Sequence, residues 1–176
     1  MQTRSVIRRC YGLGGILLGL AFLLGGCGIY SFTGASIPPE AKTINIGYFK
    51  NKAPTVQPTL STVFSDKLQE YFVSQSNLTQ VYSGVADITV TGEISQYNIA
   101  PIALQSNDQA AKNRLTIGVR VRYVIRFDPK SNFEQTFTRY EDWDAQINLN
   151  AVEDGLIETI SSQLVEDIYQ RAFVNW

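Results

Sequence analysis

The chain has 176 residues, with 15 Lys+Arg against 16 Asp+Glu, no His and two Cys. No histidine removes the commonest general base and metal ligand, and two cysteines build neither a four-ligand zinc site nor a disulfide framework. A formal net charge of -1 gives no basic surplus for nucleic acid, while 44% hydrophobic residues suffice for one packed core.

Those averages mix two objects. Arg4, Arg8 and Arg9 precede Tyr11 to Leu24, YGLGGILLGLAFLL, which carries no charge. A positive segment followed by a short apolar one is the pattern of an export signal. The apolar part is shorter than the ~20 residues a membrane span needs, and glycines interrupt it. Leu24-Gly25-Gly26-Cys27 then resembles the lipobox of bacterial lipoproteins. Residues 1–26 are expected to be removed, leaving Cys27 acylated as a lipid anchor. More than one acyl chain, palmitate-like in length, makes such anchoring stable. Gly28, rather than Asp, favours the outer membrane in the familiar sorting rule. Loss of three arginines and no acid leaves a mature net charge of -4.

Residues 27–41 read as the acylated cysteine and a tether, and 42–176 as one domain. Ile44, Ile46 and Tyr48 alternate with polar residues, which predicts a strand. From Thr59, a plausible cap, the period changes: Leu60, Val63, Phe64, Leu68, Tyr71 and Phe72 make one helical stripe, with Ser61 and Ser65 opposite. Leu78 to Tyr82 is a short edge strand. Ile88, Val90 and Ile94 predict a strand to about Tyr97, with Gly92 in the inward register, where a glycine marks a bulge or a close approach. Asn98 to Asn113 reads as a long connection.

Leu115 to Phe127 is the clearest strand, apolar at every odd position. Asp128-Pro129-Lys130-Ser131 is turn chemistry. Phe133 to Trp143 should return as its hairpin partner, bulged or buried on both faces, because its aromatics do not share one parity. Asn150 with Glu153 predicts a capping box for a last helix whose stripe runs from Val152 through Leu156, Ile160 and Leu164 to Ile168. The order β-α-β-β-β-α predicts an α+β fold. It is a two-layer α/β sandwich, with two helices on one face of a four- to five-stranded, mainly antiparallel sheet.

Candidate chemistry is sparse. Glu141, Asp142 and Asp144 cluster without a pocket to serve, so no catalytic role is expected, and neither cofactor nor metal. Arg120, Arg122 and Arg126 project from one strand face, with Lys112 and Arg114 upstream. They fit bidentate contacts to phosphate or carboxylate groups, or pairing with Glu134 or Glu141 across the sheet.

Cys27 to Phe32 (CGIYSF), Ile44 to Asn51 (INIGYFKN), Gly92 to Tyr97 (GEISQY), Asn113 to Ile117 (NRLTI) and the closing helix together resemble LptE, the lipopolysaccharide-assembly lipoprotein family, in a divergent branch with Phe133 to Asp142 (FEQTFTRYED). The resemblance implies two helices on a four-stranded sheet, anchored at the periplasmic face of the outer membrane. It implies an LptD-like β-barrel as partner, which such a protein plugs and helps assemble, and contact with lipopolysaccharide. A scaffold lipoprotein of another envelope or secretion complex is the alternative.

Overall fold

A computed structural model describes residues 37–102 and 111–174. The signal segment, Cys27 and the tether as far as residue 36 lie outside the described residues. Six strands and two helices follow: β1 (Thr43–Ile46), β2 (Lys50–Asn51), α1 (Leu60–Gln75), β3 (Thr79–Gln80), β4 (Ile88–Ile102), β5 (Lys112–Ile125), β6 (Phe133–Asp144) and α2 (Leu149–Phe173). Both helices pack on one sheet face over a single apolar core.

The sheet order is β3-β1-β4-β5-β6, with β2 also on β4. It is mainly antiparallel, as expected, with a parallel part at one edge. β1 pairs with β3 and β4 in parallel, and β2 with β4, whereas β4-β5-β6 is an antiparallel meander. The parallel part follows from α1, which carries the chain back so that β3 starts beside β1.

The expected β1 stripe stops at Ile46. Tyr48 turns outward, 53% exposed, and Phe49 takes the inward place. Ser61 and Ser65 are buried rather than wet, and the reason is polar: Ser65 Oγ accepts from Phe49 N and Ser61 Oγ from Asn51 N, both at 3.0 Å. They satisfy amides that the interrupted strand would otherwise leave orphaned in the core. Thr59 makes no side-chain cap. Gln57 Oε1 does that work, accepting from Thr59 N at 2.7 Å and Leu60 N at 2.9 Å.

β4 does not end near Tyr97. It continues to Ile102, in register with Lys112, so both ends of the expected connection 98–113 are hairpin strand; residues 103–110 lie outside the described residues. The register shifts between Ile94 and Gln96, and this bulge lets both Ile94 and Tyr97 point into the core. The bulge belongs to β4 and not to β6, which pairs with β5 without a shift. Phe137 and Trp143 share the helix side of β6, and Tyr140 lies on the other, 51% exposed.

β5 alternates as expected, with every odd residue from Leu115 to Ile125 buried. It ends at Ile125, and Phe127 is 47% exposed in the following turn. α2 starts two residues earlier than the capping box implies. Asn148 is the cap, its side chain accepting from Asn150 N at 3.0 Å. Glu153 instead accepts from the Tyr97 hydroxyl, tying α2 to the sheet beyond the bulge.

At Gly92 the close approach is real: an added Cβ would sit 2.1 Å from Arg120 O and 2.4 Å from Phe49 Cε1. Gly155, in α2, has nothing within 4 Å. Gly92→Ala should cost about 1–3 kcal/mol in urea unfolding, and Gly155→Ala should gain about 0.5–1 kcal/mol. Equal effects would contradict this packing.

Candidate functional site

The meander leaves one broad surface without a helix. Even residues of β5 face it, together with even residues of β6 and the outward residues of β4. The result is a polar sheet face rich in threonine, including Thr89, Thr91, Thr116, Thr136 and Thr138.

Lys112, Arg114, Arg120 and Arg122 share this face, because the odd positions of β5 are committed to the core. They form a line with a gap at Thr116 and Gly118, and Arg126 lies one residue beyond the strand. Between Lys112 and Arg126 the strand rise alone gives about 45 Å, so the five cations are not one patch.

Arg120 and Arg122 flank a shallow recess of about 300 Å³ that also includes Thr91, Glu93 and Glu134. Arg120 Nη2 is 2.5 Å from Glu134 Oε1. Glu93 is the register partner of Arg120, and Glu134 of Arg122. Two cations and two carboxylates therefore meet here, and the local excess of positive charge suggested by β5 alone does not survive pairing. Alternation reveals which face a residue occupies. It does not reveal register, which is why Glu93 is invisible as a neighbour in the sequence.

Near the start of β5, Arg114 is held twice. Its Nε and Nη2 donate to Asp142 Oδ1 and Oδ2 at 2.7 and 3.0 Å, and its guanidinium stacks 3.6 Å from the centroid of Tyr140. The Arg114 hydrogen bonds hold the Asp142 carboxyl below the usual carboxylate range. Past the other end of β5, Arg126 Nη1 lies 3.7 Å from Asp87 Oδ1. Among the described residues, Arg122 and Lys112 have no ion-pair partner.

The acidic cluster is dispersed. Glu141 accepts from Gln163 of α2 at 2.6 Å, Asp142 lies on the opposite sheet face with Arg114, and Asp144 accepts from Gln146 N. A second recess, about 310 Å³, lies between the helices beside Lys67, Tyr71 and Glu166. Its lysine is taken by Glu158 at 2.5 Å. Among the described residues no helix is long and apolar enough to cross a membrane.

Asp87 is the best-held carboxylate. Its Oδ2 accepts from Lys42 N and Thr43 N at 3.0 Å and from Thr43 Oγ1 at 2.8 Å. The backbone bond from Lys42, then the Thr43 hydroxyl, keep its carboxyl below its ordinary value. A depressed carboxyl contributes stability that is complete above the unfolded value and is lost as pH falls through the folded one. Asp87→Asn should lower the thermal midpoint at neutral pH and flatten its decline below about pH 4. An unchanged midpoint and unchanged acid limb would contradict this role.

A search of curated proteins finds no match. Among solved structures, a minor lipoprotein from Acinetobacter baumannii is 14% identical, covering 74% of this chain and 91% of that chain, with a TM-score of 0.50. A protein from Xanthomonas campestris is 11% identical, covering 80% and 91%, with a TM-score of 0.52. Rare lipoprotein B from Shewanella oneidensis is 11% identical over 73% and 92%, at a TM-score of 0.45. The first two share this fold. The family model for LptE, lipopolysaccharide-assembly, matches residues 41–172, from the start of the sheet almost to the end of α2. A match over that span covers the whole two-layer domain, and the chain belongs to the LptE lipopolysaccharide-assembly family.

Proposed function

We propose that this chain is a lipid-anchored, non-catalytic subunit of the lipopolysaccharide export machinery. It docks in an LptD-like β-barrel at the outer membrane and presents its open sheet face to the barrel wall and the passing glycolipid. The observation that carries this reading is the family match across residues 41–172. The surface chemistry supports it. A face rich in threonines and paired charges offers hydrogen bonds along three strands, which suits a wet, polar contact. In the same reading residues 1–26 are removed on export, acyl chains on Cys27 are the sole added group, and 27–41 tether the domain.

Lys112 and Arg122 are the residues proposed to meet lipopolysaccharide phosphates, because a cation already in a pair must first give up its partner. Arg114 and Arg120 are proposed to hold the surface in shape, Arg114 through Asp142 and Tyr140 and Arg120 through Glu134.

Two measurements test this. Affinity purification of the tagged chain from outer membranes should bring down a large β-barrel, and depletion should leave that barrel misassembled; normal barrel assembly and normal surface lipopolysaccharide would overturn the reading. With purified lipopolysaccharide, Arg122→Glu should weaken binding about tenfold at unchanged thermal midpoint, and Arg120→Glu should weaken it less. Equal binding by all three proteins would remove the glycolipid role from this face.

A further inference from the structure

We propose that β6 is a docking edge, to which an extended segment of the barrel partner adds as a further strand of the sheet. This deepens the docking reading above and rests on it for the partner.

The sheet ends at β6, which among the described residues pairs with β5 alone. Backbone bonds just past the register show which groups are left over. Ala145 N donates to Ala111 O at 2.9 Å, one residue beyond the Lys112–Asp144 pair, so the odd residues of β6 make its bonded pairs with β5. Arg126 N donates to Asp87 O at 3.0 Å, one residue past the Ile88–Ile125 pair, which assigns the even residues of β5 to β4 and agrees. Glu134, Thr136, Thr138, Tyr140 and Asp142 therefore turn their N–H and C=O groups away from β5. Their side chains lie on the open face, so the edge and the proposed docking face are continuous.

Sheet edges are normally blunted by shortness, proline, a bulge or charge. The opposite edge is: β3 has only two residues, and beside it Asn45 Nδ2 donates to Val81 O at 3.0 Å. β6 has twelve residues, neither proline nor glycine, and no register shift. Its charges do not guard it. Asp142 and Glu134 are drawn onto β5 by Arg114 and Arg120, at 2.7 and 2.5 Å. Arg139 and Glu141 are drawn onto α2 by Asp167 and Gln163, both at 2.6 Å. Arg171 of α2 lies over the Phe133 ring, and Asp144 accepts from Gln146 N.

Pairing and charge say what fits. Outward residues must face outward residues, so a second copy added antiparallel with full overlap would set Glu134 opposite Asp142 or Asp144 at both ends. Like charges directly opposite are destabilising. An incoming strand lies about 5 Å from β6 and about 10 Å from β5. The charges nearest its open-face side chains are then Glu134 and Asp142, and the arginines stand behind them. Each carboxylate oxygen keeps a lone pair for a second donor. The occupant is an extended segment with Lys or Arg opposite Glu134 and Asp142, and β-branched residues opposite Thr136 and Thr138. Wall strands of a closed barrel have no free edge, so the segment is a loop or terminal arm that reaches the barrel interior.

Hydrogen exchange of the full chain, alone and in the purified barrel complex, tests this. In the chain alone the outward amides of residues 133–144 should exchange fast and the β5-bonded ones slowly. In the complex the fast set should slow about tenfold or more. A recovered complex in which the fast set stays fast overturns the proposal and leaves the docking reading standing. Recovery of no barrel overturns both. Slow exchange of these amides in the chain alone assigns the edge to a second copy if dilution abolishes it, and to the chain's own tether if it does not; either result overturns the proposal. Thr138→Pro removes one outward amide and no bond to β5, so it should cut barrel recovery several-fold more than Thr138→Val, which keeps the amide. Equal recovery with both variants overturns the edge as the contact.

Discussion

Burial of Leu115, Ile117, Val119, Val121, Tyr123 and Ile125 on one side of β5 fixes what its other side can be. A strand shows successive side chains to opposite faces, so each apolar contact with the helices commits the next residue to the open side. Both helices lie on the committed side. The open face then belongs to arginine, threonine and glutamate, because no layer covers them and water or a partner must satisfy them. Gly92 allows this arrangement, since the Phe49 ring closes the core against it.

The same constraint explains what was legible in the sequence. β5 as far as Ile125, the apolar stripes of both helices and the β1 start are periodic and stand as expected, although Ser61 and Ser65 join the buried side of the first helix. The bulge beside Ile94 was hidden because it reverses parity, so Tyr97 read as the end of a strand instead of its inward continuation. Pro101 and small residues made the rest of β4 look like a loop, although pairing with β5 holds it extended to Ile102. The poor alternation of β6 came from Tyr140, whose place on the open face is explained by the arginine it stacks on. Parallel pairing of β1 with β3 and β4 depends on contacts distant in sequence, and no local pattern encodes it.

The candidate site was half legible. Strand alternation placed Lys112, Arg114, Arg120 and Arg122 on one face, which the structure keeps. Cross-strand pairing also offered Glu134, which Arg120 holds, but not Glu93 or Asp142, and together these carboxylates make the stripe a mixed-charge surface. A surface of that kind binds through matched geometry more than through net attraction. This suits the docking proposed for the domain, inside a partner while a charged glycolipid passes. The entry end differs in character. There Asp87 organises backbone rather than a site, taking the amides of Lys42 and Thr43.

The docking of the open face is tested most directly by photo-crosslinking in intact cells. A photoreactive residue in place of Arg122, on the open face, is predicted to trap the barrel partner. One in place of Ser162, exposed on α2, is predicted to trap it far less. Adducts from position 162 with none from 122 would contradict the assignment of the open face as the docking surface.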